Sequence, residues 1–290
     1  MTLIYHLLNG VHVGSIYALV ALGYSMVYGI VKLINFAHGD IIMVGAYVSW
    51  FVISSLNLPI WLAIIAAVLF CMLLGVTIEK VAYKPLRGSA RISLLITAIG
   101  VSLLLENVAQ LIFTSTPKTY PNFLQGGVMW RGRQISWTTI VTIAISIVLM
   151  IALTFLVTKT KMGKAMRAVS EDTDAARLMG INVDNTISFT FAVGSALAAV
   201  AAILYCCSYP QVSPTMGSVL GLKAFVAAVL GGIGSIPGAV IGGFTIGIAE
   251  SLTKGFISSS LADAIVFGIL IITLLIKPTG IVGKNVAEKV

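Results

Sequence analysis

The groups with which this chain could do chemistry are few and scattered. Its imidazoles are His6, His12 and His38, and its thiols are Cys71, Cys206 and Cys207. A Ser/His nucleophile needs both groups within hydrogen-bond reach, and no Gly-x-Ser-x-Gly turn accompanies these histidines. The cysteines have no metal-ligand spacing, and Cys206 and Cys207 are adjacent, which an ordinary disulfide disfavours. No cluster of His, Cys and carboxylates points to a metal, and no cofactor is expected. A phosphate loop, GxxxxGK[ST], is missing, and the nearest stretch, "GGIGSIPG" at 231–238, lacks the lysine–hydroxyl pair that holds phosphates. The chain is therefore expected to be non-catalytic, with any ATP hydrolysis performed elsewhere.

Two places remain. Glu106, in "SLLLENVAQL" beside Asn107 and Gln110, is ionisable and near mid-span, where a charged side chain facing lipid costs about 2.5–3.5 kcal/mol. It is expected to face the bundle or a partner, with a proton-relay role as the functional alternative. The other is Gly163–Asn185, where three basic and four acidic residues stand in a chain that is otherwise 58% hydrophobic and 10% charged. There Ser170 reads as an N-cap followed by Glu171, Asp172 and Asp174 in a first turn, and Gly180 as the residue that ends a short helix. Met166, Val169, Ala176 and Met179 form an apolar ridge. Arg167, Glu171, Asp174 and Arg177 lie opposite at pairing distances along the helix. Three readings suit this pattern: a solvated loop helix, an interfacial helix, or a docking helix for a cytosolic subunit. The mixed charge signs disfavour the interfacial one.

The elements that position these groups are membrane helices. Mean hydropathy is +1.04. Apolar stretches recur that are long enough to cross the hydrocarbon core of a bilayer, about 30 Å thick. They fall at 8–31, 40–56, 59–79, 93–113, 137–158, 187–207, 222–250 and 262–276. The segments are uniformly apolar rather than alternating, which excludes a barrel, and the first one, lacking a basic approach, reads as a retained helix rather than a leader. The net charge of +8 belongs to cytoplasmic loops rather than to nucleic-acid binding. Placing Lys32 and the basic residues of 80–91, 159–177 and the tail inside collects 13 of the 18 Lys and Arg residues there. Trp50, Trp61, Trp130 and Trp137 then all fall near outer helix ends. This orientation, N-terminus out and C-terminus in, requires an odd number of crossings. The 222–250 segment resolves the count, because Gly231, Gly232, Gly234, Pro237 and Gly238 interrupt it. The expected fold is all-α, seven crossings plus one Gly/Pro-broken re-entrant pair with its tip inside the membrane, or alternatively eight crossings. Asn35, His38 and Asp40, in "INFAHGD", fall at a cytoplasmic turn with Asp40 capping the next helix. The small residues at 234, 238 and 242, and at 243 and 247, suit close helix packing, or backbone exposed along a substrate route where half-helix N-termini meet a carboxylate.

Four blocks carry a resemblance: "NGVHVGSIYALVALGYSMVYGIVKLINFAHGD" at 9–40, "MGKAMRAVSEDTDAARLMGIN" at 162–182, "VLGGIGSIPGAVIGG" at 229–243 and "KPTGIVG" at 277–283. Together they resemble the permease subunits of branched-chain amino acid ABC importers, most closely the smaller of that family's two permeases, over essentially the whole chain. The resemblance implies a single transmembrane permease domain over 1–290 with a cytoplasmic coupling segment at 159–186, in the bacterial inner membrane. It also implies a second related permease, two cytosolic ATP-binding subunits and a periplasmic amino-acid-binding protein, and a core of the vitamin B12-importer type. Coupling to the ATPase would fall on Gly163, Met166, Arg167, Ala168, Val169, Glu171, Ala176, Met179 and Gly180. The translocation pathway would take Gly231, Gly232, Gly234, Ser235, Pro237, Gly238, Asn35 and Glu106. An ion-coupled secondary transporter, or a permease for another small solute such as urea, stays open as an alternative.

Overall fold

The computed structural model describes residues 2–283 apart from 33, 122, 125, 131 and 132. Lys284 and Lys289, used above in the charge count, lie outside the described residues, and so does the Trp130 side chain. Helices dominate: α1 (Thr2–Val31), α2 (His38–Ser54), α3 (Ile60–Ile78), α4 (Arg91–Phe113), α5 (Trp137–Lys159), α6 (Lys161–Glu171), α7 (Thr173–Leu178), α8 (Val183–Ser208), α9 (Met216–Gly231), α10 (Ile236–Phe256) and α11 (Ala262–Ile276). Among the described residues six helices, α1, α3, α4, α5, α8 and α10, are long and apolar enough to cross a membrane, and α2, α9 and α11 are shorter apolar helices.

Each apolar stretch read from the sequence is a helix within a few residues, and 222–250 divides into α9 and α10. The division has a local cause. Gly232 ends α9 at φ 106° and Gly234 follows at φ 91°. Residues that carry a side chain resist such conformations. Pro237 then opens α10, where its missing N–H costs nothing. Ser235 caps that helix by accepting from the Gly238 amide at 3.2 Å, which satisfies one of its free first-turn donors. Counted with the α9–α10 pair apart, seven apolar helices remain.

Helix α1 is the axis of the bundle, enclosed by α8, α9 and α10. From Ile16 to Leu22 its side chains are almost wholly buried. It can be surrounded because it and α10 run antiparallel with glycines at the contact. A Cβ on Gly10 would stand 2.7 Å from the Ile248 Cα, and one on Gly14 would stand 2.9 Å from that of Phe244. Close approach of this kind replaces the hydrophobic effect as the packing force inside a membrane. The stripe at 243 and 247 therefore packs α10 on α1.

Helices α2 and α9 both begin inside the bundle. Gly39 in the first turn of α2 packs on Gly217 and Gly221 of α9, and its neighbour His38 lies against Gly23 of α1. Gly23 is eight residues short of the end of α1. At a rise of about 1.5 Å per residue, the contact of His38 with Gly23 lies about 12 Å inward from that end, and the 16 residues of α9 give it about 24 Å of length. From there α9 runs back to the end of the bundle. Its last carbonyls, at Leu230 and Gly231, accept from Ile281 (2.8 Å) and Val282 (3.0 Å) of the chain's tail.

The turn at 232–235 thus lies at the end of the bundle, against the tail, Gly29 and α6, rather than half-way through it. The expected mid-membrane tip gives way because α10 has 21 residues. That is about 31 Å of helix, enough for a full span. At the opposite end two small antiparallel sheets fold the 114–136 loop over the bundle. The first joins β1 (Lys118–Thr119) to β4 (Gln211–Val212), and the second joins β2 (Gly127–Trp130) to β3 (Arg133–Ser136). Trp50, Trp61 and Trp137 sit at this end, with the Trp50 indole donating to the Thr119 carbonyl at 3.1 Å.

Candidate coupling segment and translocation wall

The polar segment forms two short helices. Thr160 caps α6 by accepting from the Gly163 amide (3.0 Å), and Asp172 caps α7 by accepting from Asp174 and Ala175 (2.9 Å each). Each cap satisfies first-turn amides that no helical carbonyl can reach. Ser170, expected as a cap, lies inside α6 and donates to the Arg167 carbonyl at 2.7 Å. Thr160, ahead of α6, and Asp172, two residues after Ser170, offered better-placed oxygens. Gly180 does end the helix, at φ 80°. The Ile181 amide reaches Ala176 and the Gly180 amide reaches Arg177, both at 3.0 Å. That pair of bonds defines a Schellman turn.

The apolar ridge divides. Met166, Val169 and Ala176 are buried against the chain's own bundle, whereas Met179 is 82% exposed and its neighbour Leu178 is 89% exposed. The outward apolar surface is therefore Leu178 with Met179. Gly163 is buried because its Cα lies against the carbonyls of Leu156 and Val157 in α5, where no side chain fits. Ala168 is half-buried. Of the expected charge pairs, Arg177 meets Asp174 at 3.7 Å, while Arg167 donates instead to the Thr158 carbonyl at 3.3 Å; no ion pair involves Glu171 among the described residues. A small cavity of about 90 Å³ lies behind α6, between Met166, Arg167 and Ser170 on one side and Gly29, Gly234 and Ile236 on the other.

The residues assigned to a pathway lie in three places. Gly231, Gly232, Gly234, Ser235, Pro237 and Gly238 form the turn just described, and Gly232 is closed in by Thr279 and Gly283, so its backbone is packed rather than open. Asn35, 2% exposed, accepts from the Tyr83 hydroxyl at 2.9 Å. Tyr83 ends a π-helical turn, Glu79–Tyr83, that continues α3. There buried Glu79 is held by Arg87 and accepts from Ser188 at 2.6 Å, and Arg87 also meets Asp184 at 2.6 Å. Glu106 faces α9 and accepts from the Ser218 hydroxyl. Ser218, Val219 and Leu222 line one face of α9 that stays exposed in this chain. Asp40, expected to cap α2, stands inside its first turn, and Ala37 occupies the cap position with no side-chain bond.

One site escaped the sequence reading. Glu250, 2% exposed, is held by Lys223 at 2.9 Å, Lys254 at 2.6 Å and the Tyr17 hydroxyl at 2.5 Å, while Lys223 also reaches Asp263 at 2.6 Å. Two cations and two carboxylates make a neutral network that ties α9 to α1, α10 and α11. The signal was present: an ionisable residue within an apolar span calls for a partner, and Lys223 and Glu250 stand within the ends of one such stretch.

A bundle of helices long and apolar enough to cross a membrane, with a polar helix pair across one end, is the layout of a polytopic membrane protein. The chain belongs to the family described as branched-chain amino acid transport system / permease component, which matches residues 6–275. It is 42% identical over 304 residues to the high-affinity branched-chain amino acid transport system permease protein BraD of Pseudomonas aeruginosa, covering 99% of each chain. It is 43% identical over 297 residues to the corresponding permease protein LivH of Escherichia coli K12, covering 97% of this chain and 96% of that one. Among solved structures, PsaBC from Streptococcus pneumoniae in complex with Fab aligns with a TM-score of 0.49 at 16% identity, over 93% of this chain and 91% of that one.

Proposed function

We propose that the chain is a permease subunit of an ATP-driven importer of branched-chain amino acids in the bacterial inner membrane. A second, related permease supplies the other half of the route, two cytosolic ATP-binding subunits dock at α6–α7, and a periplasmic binding protein delivers leucine, isoleucine or valine. The observation that carries this reading is the identity of 42% spread over 99% of the length of a relative with that named role. The lack of a phosphate loop in the sequence leaves the energy to a partner, and 159–186 is the polar surface suited to receive it. The positive-inside count and the three tryptophans at the opposite end support a cytosolic position for that segment.

Docking would rest on Leu178 and Met179, the outward apolar pair, ringed by Asp174 and Arg177. The test is co-purification. The chain expressed with its partners should retain a stoichiometric ATPase, and Leu178→Glu with Met179→Glu should release it while leaving the permease in the membrane. Proteoliposomes bearing the intact assembly should take up leucine and not urea in exchange for ATP hydrolysis. Purification without any ATPase, together with uptake driven by an ion gradient, would overturn the reading.

A further inference from the structure

Where α2 and α9 begin inside the bundle, two helix N-termini meet two carboxylates. Asp40 is in the first turn of α2, next to Gly39, which touches Gly217 and Gly221 of α9. Glu106 reaches the same first turn of α9 from α4, through the Ser218 hydroxyl. Ser102 stands one turn before Glu106 on α4, and the Asp40 and Glu106 carboxyls are near enough for their charges to interact. Asp40 is only 1% exposed, yet its Oδ1 has no hydrogen-bond partner. Neither acid has a basic residue within ion-pair distance among the described residues, the nearby Lys223 being committed to Glu250 and Asp263.

The charges do not cancel. Two helix N-termini, each carrying roughly +0.5 of an elementary charge, match one carboxylate, so the second has no counter-charge when it ionises. A buried carboxylate oxygen without a donor is costly, and one monovalent cation with N–H donors satisfies both deficits. Glu106 and Ser218 stand at the rim, on the open face of α9, with Asp40 behind them. We propose that Asp40 and Glu106 form a cation subsite on the wall of the route, which receives the α-ammonium group of the amino acid as it passes. A primary ammonium has three donors and no acceptor, matching a site built of carboxylate and hydroxyl oxygens. The proposal rests on the transport reading for its cargo, but its electrostatic content does not.

The test separates the two. With the full importer assembly in proteoliposomes, Ser218→Cys is the reporter; the native cysteines are buried. Its modification rates by a cationic trimethylammonioethyl and an anionic sulfonatoethyl methanethiosulfonate are compared with those of a free thiol. The corrected cation-to-anion ratio should be about tenfold or more, consistent with field focusing in a low-dielectric cleft, and should fall at least threefold when Glu106→Gln is added. Separately, in the parent chain, Glu106→Gln and Asp40→Asn should each lower leucine uptake about tenfold or more, while each variant assembles with its ATPase at the wild-type ratio. Glu106→Asp should recover most of the uptake. A ratio near one, a ratio that Glu106→Gln does not move, or normal leucine uptake in Glu106→Gln each overturns the subsite. Should uptake in every variant follow a shared proton, with a pH profile that shifts but an unchanged reagent ratio, the pair is a proton site and the ammonium assignment is wrong. Should the wild-type assembly move no amino acid, the transport reading fails, and the reagent ratio still decides whether the wall selects cations.

Discussion

Replacing Lys223 by methionine tests what the ion network does. The side chain is 9% exposed and holds Glu250, itself 2% exposed, at 2.9 Å. Methionine keeps most of the volume, so the loss is electrostatic. Removing one partner of a buried pair strands the other, at about 3–5 kcal/mol. Here Lys254 stays within 2.6 Å of Glu250 and Tyr17 still donates, but Lys254 is 40% exposed. Water weakens its attraction, so the low end applies, about 3 kcal/mol. For a chain of this size that lowers a thermal midpoint by about 6 °C, at roughly 2 °C per kcal/mol. Asp263→Asn makes the contrast, because that carboxylate is 57% exposed. Its pairing is expected to contribute under about 1 kcal/mol, or about 2 °C. Thermal denaturation of the purified permease in detergent, followed by tryptophan fluorescence, reads both. A midpoint for Lys223→Met within about 1 °C of wild type, or a larger loss from Asp263→Asn than from Lys223→Met, would show that the network does not anchor α9.

Two further outcomes follow from the coupling segment and its orientation. Gly180→Val forces a β-branched residue to φ 80°, at a cost of about 1–3 kcal/mol. Since open space surrounds that position, the permease should still insert while ATP-driven uptake falls several-fold in proteoliposomes. Single cysteines at Ser89 and Asp172 should be shielded from an impermeant thiol reagent added outside intact cells, and one at Met129 should react; labelling of Asp172 from outside would invert the topology.

The helices were legible because an apolar run long enough to cross hydrocarbon has few other uses. The orientation of the polar segment was half legible. Spacing of 3 and 7 places Met166, Val169 and Ala176 on one side of a helix pair, but periodicity cannot say whether that side is covered by the chain's own bundle or by another protein. Here it is the bundle for those three, and what faces out is Met179, which belongs to the ridge, with Leu178, which does not. Gly231–Gly238 announced a break and not its depth, since depth depends on how far α10 extends past the turn. Lys223 and Glu250 stand 27 residues apart at the two ends of one stretch, and only the return of α10 along α9 brings them to 2.9 Å, with Tyr17, 233 residues from Glu250, completing the site. Asp40 read as a helix cap, and only its place in the first turn was right. That a second helix starts at the same point is visible only in three dimensions.

The enclosure of α1 has a consequence for the order in which the molecule comes together. Helix α1, which the finished bundle buries, is made before two of its walls, α9 and α10, which begin at residues 216 and 236. At about 5–20 residues per second, the 185 residues from Val31, which ends α1, to Met216, which opens α9, take about 9–37 seconds. During that interval His12, Ser15 and Tyr17 face whatever the membrane offers, although each ends up buried. The glycines that let α10 approach so closely also leave the young helix without a bulky surface of its own. Biogenesis of this chain thus contains a period in which its future centre, a partly polar helix, lacks two of the helices that will enclose it.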